Sequence, residues 1–290
     1  VKDLVLVMKV WWQPGDNKMF KNHPYVVPLP FDEVAFKGAR RITVGYYTFD
    51  GWCEASPAYS RAVNTVVAAL EKQGIRCVPF AVPEPLESTM IMYGMLTADG
   101  EMRGYVEGLE GEEMHPDYKN LYRQTLIPNW ARSSIAAVLD LLGEQRMASI
   151  CRVAGGKSTY DYWNWQKRLN RYRKVFMQAM ADADVDALIS PGTALPALPH
   201  HAARDLTPAM SYTYIYNVLH MPAGTIPVTT VKPSETVYIS ETRDKISNKA
   251  AEALKGSAGL PVCVQVATRP FQDELCLRVM DLAAGPQNHN

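Results

Sequence analysis

The sequence predicts an α/β protein, with a mixed β-sheet core flanked by helices on both faces. Short β-branched runs (41–47, 75–80, 186–190, 225–231 and 262–267) alternate with stretches of helical periodicity. The first two runs enclose a segment with its own start and stop signals: Ser56-Pro57 as N-cap and first helical residue, and Gly74 as terminator. That makes a β-α-β unit, whose strands run parallel. A chain of 290 residues is long enough for a large core and one or two domains.

Taken in order, Val1–Trp12 is apolar with helical spacing, and Leu4, Val7, Met8 and Trp11 share one side that nothing nearby in sequence covers. Pro24, Pro28 and Pro30 favour an extended linker. After the strand at 41–47, Val63, Val66, Val67 and Leu70 mark the buried side of the enclosed helix. Residues 90–114, punctuated by glycine and acidic, read as a helix followed by loops. A long helix over 160–182 carries Trp163, Leu169, Tyr172 and Phe176, and further helices are expected at 208–219 and 272–284. Between the helix at 208–219 and the next strand, Pro222 halts the helix and Gly224 supplies the turn, with Asn217 tying the backbone. The polar tail, 285–290, is expected to be disordered.

Composition removes several functions. Thirty basic residues balance thirty acidic ones, so no global field draws nucleic acid. The five cysteines are widely spaced and form no CxxC pair, as expected of reduced thiols in an intracellular protein without a disulfide framework or zinc site. No run approaches the roughly 18–20 apolar residues of a membrane span, and no secretory signal is present. The first residue is Val, so the chain is expected to begin mid-protein or after processing.

Catalytic motifs fail in turn. Gly155-Gly-Lys-Ser158 ends like a phosphate loop, but Cys151 stands where glycine is needed and no strand precedes it. No GxSxG elbow exists, since Gly256-Ser257-Ala258-Gly259 has the wrong spacing. His200-His201 has no HExxH or carboxylate pair to complete a metal site. Ser133-Ser134 lies inside an amphipathic helix, as surface residues without the base and oxyanion donors a nucleophile needs. No catalytic residue, metal or cofactor is therefore assigned.

Ten segments nevertheless fall in register with one family. They are Pro28-Leu-Pro-Phe31, Val44-Gly-Tyr-Tyr47, Ser56-Pro-Ala58, Pro128-Asn-Trp130, Ser190-Pro191, Tyr216-Asn217, Met221-Pro-Ala-Gly224, Pro227-Val-Thr-Thr-Val231, Gly259-Leu-Pro-Val262 and Glu274-Leu-Cys-Leu-Arg278. The chain thus resembles the C-terminal half of the fatty-acid amide hydrolases, a branch of the amidase-signature serine hydrolases. The resemblance implies one partial amidase-signature domain over residues 1–284, lacking its N-terminal catalytic part. In that family a lysine acts through a bridging serine on a nucleophilic serine, in a Gly/Ser-rich segment that would lie upstream of Val1. This chain alone is then expected to be inactive.

What the resemblance leaves to this chain is the acyl channel. Thr207, Met210, Tyr214 and Val218 share one stripe by i, i+3/i+4 spacing, and the first three match positions against the acyl chain. Leu96, Thr97 and Ile246 match further channel positions. Tyr214 replaces a smaller aliphatic and is expected to narrow or polarise the channel. Residues 118–153 resemble the family's membrane-facing cap: Ile127, Ile135, Val138, Leu139 and Leu142 form an apolar stripe, Trp130 suits an interface, and Lys119, Arg123, Arg132, Arg146 and Arg152 would meet anionic headgroups. The implied partners are a lipid amide, a membrane surface and a second copy in a homodimer, with an endomembrane location. Two alternatives stand beside this: a soluble amidase or amidotransferase-like subunit acting on non-lipid amides, and a non-catalytic truncated product. A chain starting mid-fold would also leave sheet edges uncovered, and poor solubility is expected.

Overall fold

The computed structural model describes residues 1–12, 23, 29–38 and 40–285, with Asn120 described by its backbone alone. The linker prolines Pro24 and Pro28 and the tail beyond Gly285 lie outside the described residues. Five strands form one sheet: β1 (Thr43–Tyr46), β2 (Arg76–Pro79), β3 (Ala187–Pro191), β4 (Ala223–Thr230) and β5 (Pro261–Thr268), in the order β2-β1-β3-β5-β4. β1 lies parallel to β2 and β3, whereas β5 runs antiparallel to β3 and β4. The sheet is mixed, and its parallel part contains the expected β-α-β unit.

The helices in the first half are α1 (Lys2–Trp11), α2 (Glu33–Lys37), α3 (Pro57–Lys72), α4 (Glu87–Leu96), α5 (Arg103–Gly108), α6 (Pro116–Thr125) and α7 (Asn129–Leu141). Then follow α8 (Gln145–Val153), α9 (Thr159–Asp182), α10 (Ala203–Leu206), α11 (Ser211–Leu219), α12 (Lys245–Leu254) and α13 (Asp273–Ala284). Alternation of the strand residues splits them between two cores. Val44, Ala187, Ile189, Val264 and Val266 pack with α3 and α13, through Val63, Val66, Leu70, Val279 and Met280. On the opposite face, Leu188 and Ala267 pack with Tyr172, Phe176 and Met180 of α9 and Tyr212, Ile215 and Tyr216 of α11.

Several local expectations change. In α1 the buried residue is Val5, flanked by half-buried Val1 and Met8, while Leu4, Val7 and Trp11 are exposed. The i, i+4, i+7 set Val1, Val5, Met8 faces the second core, so the helix is turned relative to the expected stripe. Trp163 is exposed, and Trp165 packs against the core instead, its ring so close to α4 that a Cβ on Gly94 would lie 2.5 Å from it. Ser56 stands at the N-cap of α3, but its hydroxyl makes no cap bond; its carbonyl accepts from Tyr59 and Ser60.

The turn after α11 belongs to His220, whose φ of 53° is left-handed, and its N–H donates to the Asn217 and Tyr216 carbonyls. Gly224 has a different task. A Cβ there would sit 2.5 Å from Met280 Sδ, so glycine lets α13 approach β4 closely. Asn217 thus ties the turn through its main chain, with its side chain exposed. Between the sheet and α11, three fully buried hydroxyls line up: Tyr47 and Tyr216 at 2.9 Å, and Tyr216 and Ser190 at 3.1 Å.

Candidate ligand cavity and exposed helix face

Residues 118–153 fold as three short helices, α6, α7 and α8, broken at Pro128 and Gly143. Arg132 and Arg146, assigned to headgroups by pattern, are instead buried. Arg132 donates to the Gln124 and Thr125 carbonyls and closes the end of α6. Arg146, 5% exposed, grips Asp244 with Nε at 2.6 Å and Nη2 at 2.5 Å, and also reaches Ser247 Oγ and the Trp52 carbonyl. Asp244 in turn caps α12 by accepting from Ser247 N–H. Lys119 pairs with Glu113 and Arg152 with Asp140, while Arg123 is exposed. Periodicity passed over α12 because its stripe is short; Asp244 before Lys245 was its available signal.

α8 and α12, held together by this ion pair, form part of the wall of a cavity of about 640 Å³. Tyr93 of α4, Leu121 of α6, Met147 and Ile150 of α8, Met210 and Ile246 supply its apolar lining. His115, Asp117, Arg204, Asp205 and Lys245 supply the polar part. Asp117 accepts from or pairs with His201 Nδ1 at 2.9 Å, tying the start of α6 to the 199–202 turn. Apolar walls with a few polar and charged groups are the usual lining of a small-molecule site.

Of the residues singled out by resemblance, Thr207, Met210 and Ile246 meet at this cavity from two separate elements. Tyr214 stands behind it: its hydroxyl bonds Thr89 Oγ1 at 3.0 Å, and its ring meets Tyr93 edge-on with centroids 6.3 Å apart. Leu96 is 63% exposed and Thr97 is buried, and neither lines the cavity. The Thr97 hydroxyl donates to the Tyr93 carbonyl and accepts from Gly155 N–H, which holds the 154–157 turn against α4. Tyr93 itself, with Met147, Ile150 and Leu121, was missed; these apolar residues sit on helices whose spacing marks only a buried side.

The Gly155–Ser158 segment follows a helix, and Lys157 spends its ammonium on the Val153 and Gly155 carbonyls while Ser158 caps α9. Ser133 and Ser134 are exposed on α7. Among the described residues no group of His, Cys, Asp and Glu side chains could hold a metal ion. All five cysteines are free thiols, and burial pushes Cys53 up to about 12, against the opposing pull of Arg146, which keeps it a neutral thiol.

α7 carries an exposed apolar face. Trp130 is 84% exposed and Leu141 88%, with Ile135, Val138 and Leu142 beside them, while Ile127 and Leu139 are half-buried. Apolar side chains exposed together on one helix are more common at interaction surfaces than elsewhere on soluble proteins. No helix among the described residues is long and apolar enough to cross a membrane.

Comparison with known proteins places these features in context. The model of the amidase family matches residues 1–277. Fatty-acid amide hydrolase 1 of Sus scrofa is 34% identical over 272 residues, covering 90% of this chain and 46% of that protein. Fatty acid amide hydrolase 1 of Caenorhabditis elegans is 28% identical over 263 residues, covering 89% of this chain and 45% of that protein. A solved structure of a fatty acid amide hydrolase superposes with a TM-score of 0.72 at 20% identity, over 98% of this chain and 45% of that one. The chain therefore spans a little under half the length of these relatives.

Proposed function

The chain belongs to the amidase family, and from that premise we propose that it is the acyl-binding part of a serine hydrolase of fatty-acid amides. The intact protein cleaves N-acylethanolamines or primary fatty amides to a fatty acid and an amine, with the Ser-Ser-Lys centre in the part upstream of Val1. The observation that carries this reading is the convergence of Thr207, Met210 and Ile246 on one largely apolar cavity. A long hydrocarbon chain enters such a space by leaving water, worth about 0.8 kcal/mol per buried CH₂. Affinity and rate should therefore climb with acyl length.

Two measurements test it. Protein carrying the upstream segment should be labelled by a fluorophosphonate and hydrolyse long-chain amides well ahead of acetamide-sized ones, whereas residues 1–290 alone should stay unlabelled. Equal rates on long and short amides would favour an amidase for non-lipid substrates. Labelling of residues 1–290 would place a nucleophile in this chain and overturn the assignment.

We further propose that the face of α7 rests on a lipid surface, its indole at the interface and Leu141 and Leu142 among acyl chains. The intact protein should float with liposomes, and Trp130→Asp with Leu141→Asp should leave it in the soluble fraction. A wild type that does not cofractionate rules this role out.

A further inference from the structure

α1 is apolar almost all the way round. Seven of its ten residues are apolar, and its charges are Lys2, Asp3 and Lys9. Val5, with half-buried Val1 and Met8, packs into the core that α3 and α13 form on one face of the sheet. Lys9 pairs with Glu33 of α2 and lies over the Phe31 ring, 5.4 Å from its centroid. The helix is therefore held in place. Facing outward, however, are Leu4, Leu6 and Val7, which are 48%, 62% and 41% exposed. Successive residues lie about 100° apart on a helix, so Leu6 and Val7 make this apolar face broad.

A helix apolar on every side belongs inside a protein or across a bilayer. Ten residues rise about 15 Å, half of a hydrocarbon core of about 30 Å, so α1 cannot span one. Nor does a lipid surface under α7 reach it. α7 is joined to α8 through Arg152 on Asp140 and Cys151 on the Arg132 carbonyl, and Ile150 of α8 belongs to the core on the other face of the sheet. The sheet thus stands between α1 and α7. We propose that the outward face of α1 is covered by the part of the intact protein upstream of Val1, which makes α1 an interior helix shared by the catalytic and acyl-binding parts. This rests on the reading that the Ser-Ser-Lys centre lies in that part. The fatty-acid amide hydrolase relatives hold more than half of their length outside the match, and the solved one superposes on 98% of this chain with only 45% of its own. An upstream segment enters the fold at Val1, the N-cap of α1, and so starts beside the open face.

The test places a photoreactive benzoylphenylalanine in place of Leu6 in the intact protein, in buffer free of liposomes and detergent. Irradiation should cross-link it, within one chain, to residues upstream of Val1. Cross-links confined to residues 1–290, cross-links to a second copy, or none at all would each overturn the proposal. In wild type, hydroxyl radicals should oxidise Leu6 at least about fivefold more slowly than Leu141, whereas exposures of 62% and 88% predict nearly equal rates. Equal rates would overturn it, as would protection of Leu6 that appears only when liposomes are added. Leu6→Asp with Val7→Asp should lower the thermal midpoint of the intact protein, because the two charges enter a dry contact. An unchanged midpoint would put this face in water and overturn the proposal. If wild type is not labelled by a fluorophosphonate, the serine-hydrolase reading fails, while the cross-link and the footprint still report on α1 without any activity.

Discussion

Replacing Arg146 by alanine is expected to cost the fold about 3–5 kcal/mol, the range for stripping one partner from a buried ion pair. Both side chains are almost fully buried, and the guanidinium meets the carboxylate through two parallel N–H donors. Without it, Asp244 keeps a charge in a low-dielectric site with only the Ser247 groups to answer it. The Trp52 carbonyl loses its donor as well. Lysine should rescue little, because a point charge cannot reproduce the forked geometry. Arg146→Met combined with Asp244→Leu should recover part of the loss, since no charge is then stranded while the α12 cap on Ser247 N–H is given up. Urea denaturation of the three variants checks this; a loss below about 1 kcal/mol for Arg146→Ala would mean that water reaches the pair. Ile246 and Ile150 lie close to the pair in sequence and line the cavity, so on the proposed acyl-binding reading the intact protein with a surviving Arg146 variant should also lose preference for long acyl amides.

Asp50→Asn is expected to stabilise the protein at pH 7.5 by roughly 1–3 kcal/mol, and to do so much less at pH 5. Burial raises the Asp50 carboxyl to about 6, although it accepts the Trp52 and Cys53 N–H groups at 2.8 and 3.1 Å. A folded pKa above the unfolded value of 3.8 means that the folded state holds the proton more tightly. Stability from this group is thus complete below pH 3.8 and lost as pH rises through 6. Between pH 7.5 and 5 the wild type should gain about 1.4 kcal/mol that the variant does not. Denaturation curves at both values give the difference directly; a constant gap between the two proteins would place Asp50 in contact with water.

The strands and the parallel β-α-β unit were legible because β-branched runs and the Ser56-Pro57 and Gly74 punctuation are local signals. The side of α1 that is buried was not, because Leu4 and Val5 are equally apolar and only the distant α13 core decides between them. Gly224 misled for a related reason: glycine serves both turns and close packing, and only the position of Met280 tells which. At the cavity, Met210, Thr207 and Ile246 were reachable by resemblance, whereas Tyr93 was not marked by anything along the chain. Its distinction is an unpaired hydroxyl, a property that exists only once neighbours from α4, α11 and the 154–157 turn have made their own bonds. Arg146 shows the opposite failure. Its charge suggested the surface, and its partner Asp244 lies 98 residues away.

The buried row Tyr47, Tyr216 and Ser190 couples its members through their protons. Ser190 Oγ also donates to the Pro191 carbonyl, and each hydroxyl has a single proton. Tyr216, with one proton for two bonds, can donate to only one of its neighbours and must accept from the other. The direction of one bond therefore constrains the other, so the row from the end of β1 through α11 to β3 behaves as one coupled unit. Its middle member belongs to both bonds, which ranks Tyr216→Phe above Tyr47→Phe in cost to the strands it joins.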